Sequence, residues 1–152
     1  RMRLVHTNGG DPDFVLLCQK LEEELNRLAG GAERRTAFNP HNQLEDIQDV
    51  VIAYENGIPI GAAGLKRYEA DCAEVKRVFV RLESRGRGIS RQLLKRLEQV
   101  ARERGYRRLR LESTAALKAA MGLYHSMGYQ IIPNYGPYRE IPISICMEKL
   151  LG

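Results

Sequence analysis

Residues 83–90 read Glu83-Ser84-Arg85-Gly86-Arg87-Gly88-Ile89-Ser90, and what flanks this stretch decides the fold. Before it, Glu74 to Val80 reads as a strand. After it, Leu93, Leu94, Leu97, Val100 and Ala101 fall on one stripe of a helix, with Arg91, Lys95, Arg96 and Arg102 facing outward. A strand, a glycine-rich turn and a helix N-terminus in that order make an anion site. The N–H groups of the first helical turn have no intrahelical partner, and the helix dipole favours negative charge there. Gly86 and Gly88 let the backbone approach a bulky ligand with no Cβ in the way. Arg85 and Arg87 add charge for phosphate oxygens. A lone Gly-x-Gly also suits a solvated surface turn; its place between a strand and an amphipathic helix favours a phosphate cradle.

Spacing narrows the cradle. A Walker A loop needs glycine, four residues, then Gly-Lys-Ser/Thr, and this order is absent. A dinucleotide fingerprint needs a third glycine where Arg91 stands, and no early βαβ unit supports one.

Working outward, Pro12 and Asp13 open a helix that carries Phe14, Leu17, Cys18, Leu21, Leu25 and Leu28 at helical spacing, and Gly30-Gly31 ends it. The polar stretch 32–49 is expected to be a loop with a short helix near Leu44. Val50 to Tyr54 reads as a buried strand, Asn56-Gly57 as a hairpin turn and Ile58 to Tyr68 as the returning strand. Past the helix that follows the glycine loop, Leu109 and Leu111 alternate with polar residues in a strand. A helix is expected over 115–127, then two strands at 129–132 and 141–149, joined by a Pro- and Tyr-rich loop. The expectation is therefore one domain over residues 1–152, of mixed α/β (α+β) class, with a central mixed, mostly antiparallel sheet flanked by helices.

Composition sets the outer bounds. With 152 residues, 43% hydrophobic and 28% charged, the chain is long enough to bury a core and is not globally disordered. Three dispersed cysteines and three unclustered histidines argue against a disulfide framework or a metal site and suit a reducing cytoplasm. No apolar run approaches the roughly 20 residues that span a bilayer, and residues 1–8 do not read as a signal peptide. The net charge of +5 leaves nucleic acid, anionic membrane or a phosphate-bearing small molecule as partners. The run Arg102, Arg104, Arg107, Arg108 and Arg110 reads as a solvated face paired with Glu98, Glu103 and Glu112. It lacks the aromatic interleaving and recognition motifs of a nucleic-acid module.

The loop Arg85-Gly86-Arg87-Gly88-Ile89-Ser90 resembles the Arg/Gln-x-x-Gly-x-Gly/Ala signature of the GNAT superfamily of N-acetyltransferases, with Ser90 in the last small position. A second block, Ala120 to Tyr129, is similar to the family's Ala-x-x-Leu-Tyr-x-x-x-Gly-Phe/Tyr helix. Leu117 stands where that family often has Asn. The element order fits the family's fold over nearly the whole chain.

That resemblance implies acetyl-CoA as donor, a primary amine of a small molecule or protein as acceptor, and direct transfer in a ternary complex. It implies that Val78, Phe79 and Val80 offer backbone groups to the pantetheine arm. The pyrophosphate would lie on Arg85, Gly86, Arg87, Gly88 and Ser90, and the strand of Glu74 would splay from that of Leu109 to make the slot. Tyr124 would protonate the departing thiolate, and Glu74 would serve as base. Tyr135 and Tyr138 fall in the loop where the family shapes its acceptor site, and a homodimer is a further expectation. From the residues alone, Tyr124 continues a buried stripe, Glu74 pairs with Lys76 or Arg77, and Tyr135 and Tyr138 belong to a Pro-stiffened turn. A distorted strand near Phe79 would free an N–H for the oxyanion. A silent acyl-CoA sensor on the same fold, or a basic nucleic-acid module, are the competing functions.

Overall fold

The computed structural model describes residues 1–29, 44 and 46–152. Among them lie β1 (Met2–Thr7), α1 (Pro12–Ala29), β2 (Ile47–Glu55), β3 (Ile58–Glu69), β4 (Cys72–Val80), α2 (Ile89–Glu103), β5 (Arg108–Thr114), α3 (Lys118–Ser126), β6 (Gln130–Ile132) and β7 (Ser144–Leu150). Short 3-10 turns fill Leu82–Ser84 and Gly136–Glu140. The strands form one sheet in the order β1-β2-β3-β4-β5-β7-β6. Among the described residues only β4 and β5 pair in parallel. The expected mixed, mostly antiparallel sheet flanked by helices is what the chain builds. No helix among the described residues is long and apolar enough to cross a membrane.

Each sheet face is covered by a different part of the chain. Val51, Ala53, Leu65, Val75, Leu109 and Leu111 pack with Leu93, Leu94, Leu97 and Val100 of α2, and with Tyr124 of α3. Leu93, Leu94 and Leu97 are fully buried, each stabilising the fold by about 2 kcal/mol relative to exposure. Val50, Ile52, Ala62 and Phe79 face the other way, against Phe14, Leu17 and Cys18 of α1.

The structure departs from the sequence reading at several points. An extra strand, β1, pairs antiparallel with β2 along the sheet edge. β2 begins at Ile47 rather than at residue 50. Its polar residue Asp49 is buried because His6 Nε2 lies 2.8 Å and Arg104 Nη2 2.9 Å from its carboxylate. The helix expected over 115–127 starts only at Lys118, since β5 runs on to Thr114. β7 starts at Ser144, after the second 3-10 turn. The loop and short helix expected over 32–49 fall largely outside the described residues, as does the Gly30-Gly31 helix stop; Leu44 is buried in the core beside α1. Three arginines of the basic run form ion pairs outside the expected set. Arg104 turns to Asp49, and Arg108 and Arg110 both reach Glu148, at 2.9 and 2.7 Å. Glu98 is held instead by Lys149 and Tyr129.

Two irregularities in the centre of the sheet position the site. β4 and β5 pair only from Cys72↔Arg108 to Glu74↔Arg110. Beyond that point β4 continues to Val80 and β5 to Thr114 without pairing to each other, so the sheet opens between them. In the same stretch the β3–β4 register slips: Gly64 faces Lys76, and Ala62 faces Phe79. Two residues of β4, Arg77 and Val78, thus oppose one of β3. Arg77 adopts a left-handed backbone, with φ at 58°.

Candidate active site

A cleft of about 870 Å³ lies beside the opening between β4 and β5. One wall is the distal end of β4, Val78, Phe79 and Val80. The chain then turns through Arg85, Gly86 and Gly88 into the first residues of α2, Ile89, Ser90 and Arg91, all of which line the cleft. Gly86 and Gly88 have φ of 79° and 75°, and space for a side chain is open at both. What these positions require is therefore the left-handed backbone, which a Cβ disfavours. Ile89 is buried and anchors the helix start, and the first turn of α2, whose leading N–H groups lack intrahelical partners, borders the cleft beside the glycines.

The opposite walls were not legible in the sequence. Leu21, Leu25 and Leu28 of α1 and Leu117, Ala120 and Leu123 around α3 make the cleft largely apolar. Leu28, at the end of its helical stripe, is 63% exposed; it borders the cleft and is not packed in the core. Arg91, expected to be a solvated helix residue, lines the cleft and donates from Nη2 to Ser126 Oγ at 2.7 Å, bridging α2 and α3.

The two loop arginines separate. Arg85 lines the cleft: its Nε donates to the Val80 carbonyl at 2.8 Å and its Nη2 to Glu24 Oε1 of α1 at 2.7 Å. Arg87 turns the other way. It forms a two-pronged ion pair with Glu55 at the end of β2, its side chain is half-exposed, and it is no part of the cleft wall. The Arg87 side chain, expected beside the phosphates, is held instead by a carboxylate 32 residues away in the chain.

Tyr124 lines the cleft from α3 and is buried, its ring edge-on to Tyr129 at 5.9 Å between centroids. Burial, with the Glu112 charge adding to it, pushes the phenol up to about 12. The hydroxyl stays protonated through neutral pH, as a proton donor must. Tyr124 both joins the core, as its stripe predicts, and borders the cleft. His125, its neighbour, is exposed.

Glu74 is buried on the α1 face of the sheet and does not form part of the cleft wall. Tyr135 donates to its Oε2 at 2.6 Å, and Lys76 Nζ lies 3.8 Å from its Oε1. Lys76 also donates to the Tyr138 hydroxyl at 3.1 Å. Burial pushes the Tyr135 and Tyr138 hydroxyls above the ordinary phenol range, the Glu74 charge adding to it, so both keep their protons. Burial pushes Lys76 down, against the pull of Glu74. Of the pairings expected for Glu74, the one with Lys76 forms. Arg77 instead donates to Glu22 of α1 at 2.8 Å. Glu74, Tyr135 and Tyr138 are thus gathered into one polar cluster, while Val78 to Val80, the glycine loop and Tyr124 gather in the cleft. The strand between them is the one that slips register.

Comparisons with known proteins agree with this architecture. The sequence profile of the family described as "Acetyltransferase (GNAT) family" matches residues 17–129. An "IAA acetyltransferase" from Azospirillum brasilense is 33% identical over 140 residues, spanning 87% of this chain and 89% of that protein. The crystal structure of the PaiA N-acetyltransferase from Thermoplasma acidophilum in complex with coenzyme A superposes with a TM-score of 0.75, at 17% identity, over 99% of each chain. A GNAT family acetyltransferase from Elizabethkingia anophelis with acetyl-CoA bound gives 0.70 at 18% identity, over 99% of this chain and 98% of that one. At those identities the structural likeness speaks to the fold.

Proposed function

We propose how this chain, which belongs to the GNAT family of acetyltransferases and is an acetyl-CoA-dependent N-acetyltransferase, divides the transfer between the two faces of β4. The observation that carries the reading is the cleft itself. It joins the left-handed glycines, the free start of α2, the end of β4 that has parted from β5 and the Tyr124 side chain in one continuous wall. The pyrophosphate of the donor lies on the backbone of residues 86–90 with Arg85 beside it, and the Arg87 side chain takes no part. The pantetheine arm runs along Val78, Phe79 and Val80, whose backbone groups on the β5 side have no strand partner. The apolar α1 and α3 walls exclude water from the thioester.

In the transfer, the neutral amine nitrogen attacks the thioester carbon, forming the C–N bond and a tetrahedral oxyanion, whose collapse breaks the C–S bond and restores the carbonyl. A backbone N–H at the β4 bulge stabilises the oxyanion. Tyr124 gives its proton to the leaving sulfur. Glu74 receives the proton lost by the amine, through water, because its carboxylate stands outside the cleft wall. Tyr135 and Tyr138 shape the acceptor side, and the acceptor is a primary amine of a small molecule or a protein. The pairing of Arg104, Arg108 and Arg110 to carboxylates supports reading the basic run as a solvated face and not as a nucleic-acid surface. A cytoplasmic location and a homodimer complete the proposal, the latter read directly by sedimentation.

Release of the CoA thiol across a panel of amines tests the enzyme reading. Tyr124→Phe and Glu74→Gln are each expected to lower kcat by about 100-fold or more, with CoA affinity within threefold of the parent. CoA binding with no thiol release for any amine favours the silent sensor. Absence of CoA binding defeats both.

A further inference from the structure

Two non-glycine residues have positive φ among the described residues, Asn56 and Arg77. Asn56 sits with Gly57 in a two-residue hairpin turn, which calls for that conformation. Arg77 sits in the middle of a strand. A bulge whose first residue is left-handed ordinarily carries glycine there, because a Cβ is strained in that region. Such strain at another residue persists only where the surroundings hold it.

The surroundings of Arg77 are specific. Its Nη1 donates to Glu22 Oε2 of α1 at 2.8 Å, and the two side chains are only 4% and 12% exposed. An ion pair so far from water is costly to break. Strand alternation supplies a second constraint. Glu74 and Lys76 point to the α1 face, where they meet Tyr135 and Tyr138. A regular strand would then turn Arg77 to the opposite face, beside Val75 and into the apolar core under α2. The bulge keeps Arg77 on the α1 face, within reach of Glu22.

We propose that the Glu22–Arg77 pair is the lock that holds residue 77 left-handed, and so sets the direction in which the backbone of Val78 to Val80 faces the donor. Glu22 is then a positioning residue: it touches no reacting atom, yet it couples α1, which walls the cleft through Leu21 and Leu25, to the donor-binding strand. The inference rests on the reading of β4 as the donor's backbone partner.

Two double variants isolate the backbone effect. Glu22→Gln with Arg77→Gly and Glu22→Gln with Arg77→Ala both remove the pair, and they differ by one methyl group; chain entropy favours the alanine form, so an advantage of the glycine form arises only if residue 77 is left-handed. Calorimetric titration with CoA is expected to show the glycine form binding about tenfold more tightly than the alanine form. Equal affinities overturn the lock. Amide exchange in the parent separates this from the underlying reading. If CoA fails to protect the amides of Val78 to Val80, the donor site itself is wrong; if it protects them while the two variants bind alike, only the lock is wrong. Should either double variant fail to fold, Glu22→Gln alone is read by the same exchange. Faster exchange at Val78 to Val80 supports the lock, and unchanged exchange overturns it.

Discussion

The Tyr135 hydroxyl donates to Glu74 Oε2 at 2.6 Å, across 61 residues of chain. Three residues on, Tyr138 accepts from Lys76 at 3.1 Å. Residues three apart lie on one side of a 3-10 turn, and residues two apart share a strand face. The loop before β7 is therefore keyed onto β4 at two points. Tyr68 and Arg110 brace the key, their groups lying 5.1 and 5.0 Å from the Tyr135 ring centre.

Tyr135→Phe removes one donor from a buried carboxylate and unpins the loop. A hydrogen bond to a charged, buried group is worth about 1.5–3 kcal/mol. Urea denaturation is expected to show a loss in that range, and kcat to fall about tenfold, while CoA affinity stays within twofold because the cleft is untouched. A large loss of CoA affinity would place Tyr135 in the donor site instead.

Arg85 and Arg87 are expected to behave differently despite their adjacency in the loop. Arg85→Ala removes a charge and a brace on the Val80 carbonyl from the cleft wall. It should raise KM for acetyl-CoA by about five- to tenfold and flatten its salt dependence. Arg87→Ala breaks an exposed pair with Glu55, worth little in water, and should change KM by less than about twofold. Steady-state kinetics on the two variants decides; equal effects would return Arg87 to the phosphate site.

Asp49 gives the fold an acid-sensitive contact. Burial works to raise its carboxyl, but hydrogen bonds and charge from Arg104 and His6 outweigh burial and hold it below the ordinary range. A carboxyl lowered in the folded state contributes stability that is fully present above its unfolded value of about 3.9. That contribution is lost as pH falls through the lowered value. Asp49→Asn should therefore be less stable than the parent at pH 7, and the gap should narrow as denaturation is repeated below about pH 4. A gap constant with pH would show that the ionised form of Asp49 is not what stabilises.

The parts of this molecule that sequence makes legible are those with a local signal. The glycine loop and α2 stand out because two glycines meet a helix with an apolar stripe. The β2–β3 hairpin stands out because Asn56-Gly57 demands it. β1 carries no such signal, since an edge strand with no fully buried residue shows neither a buried run nor clean alternation. The bulge is also hidden, because its left-handed position carries Arg77 where the rule would ask for glycine. Long-range pairings were out of reach for the same reason. Nothing near Arg87 announces Glu55, nothing near Glu74 announces Tyr135, and nothing in α1 marks Leu21 or Leu25 as a cleft wall until the helix is seen beside β4.

The most direct measurement is a crystal structure with coenzyme A bound. The expected result has the pyrophosphate against the backbone of residues 86–90, the pantetheine arm beside Val78 to Val80, and the sulfur within hydrogen-bond reach of the Tyr124 hydroxyl. A pyrophosphate held away from the glycine loop, or a sulfur with Tyr124 out of reach, would contradict it.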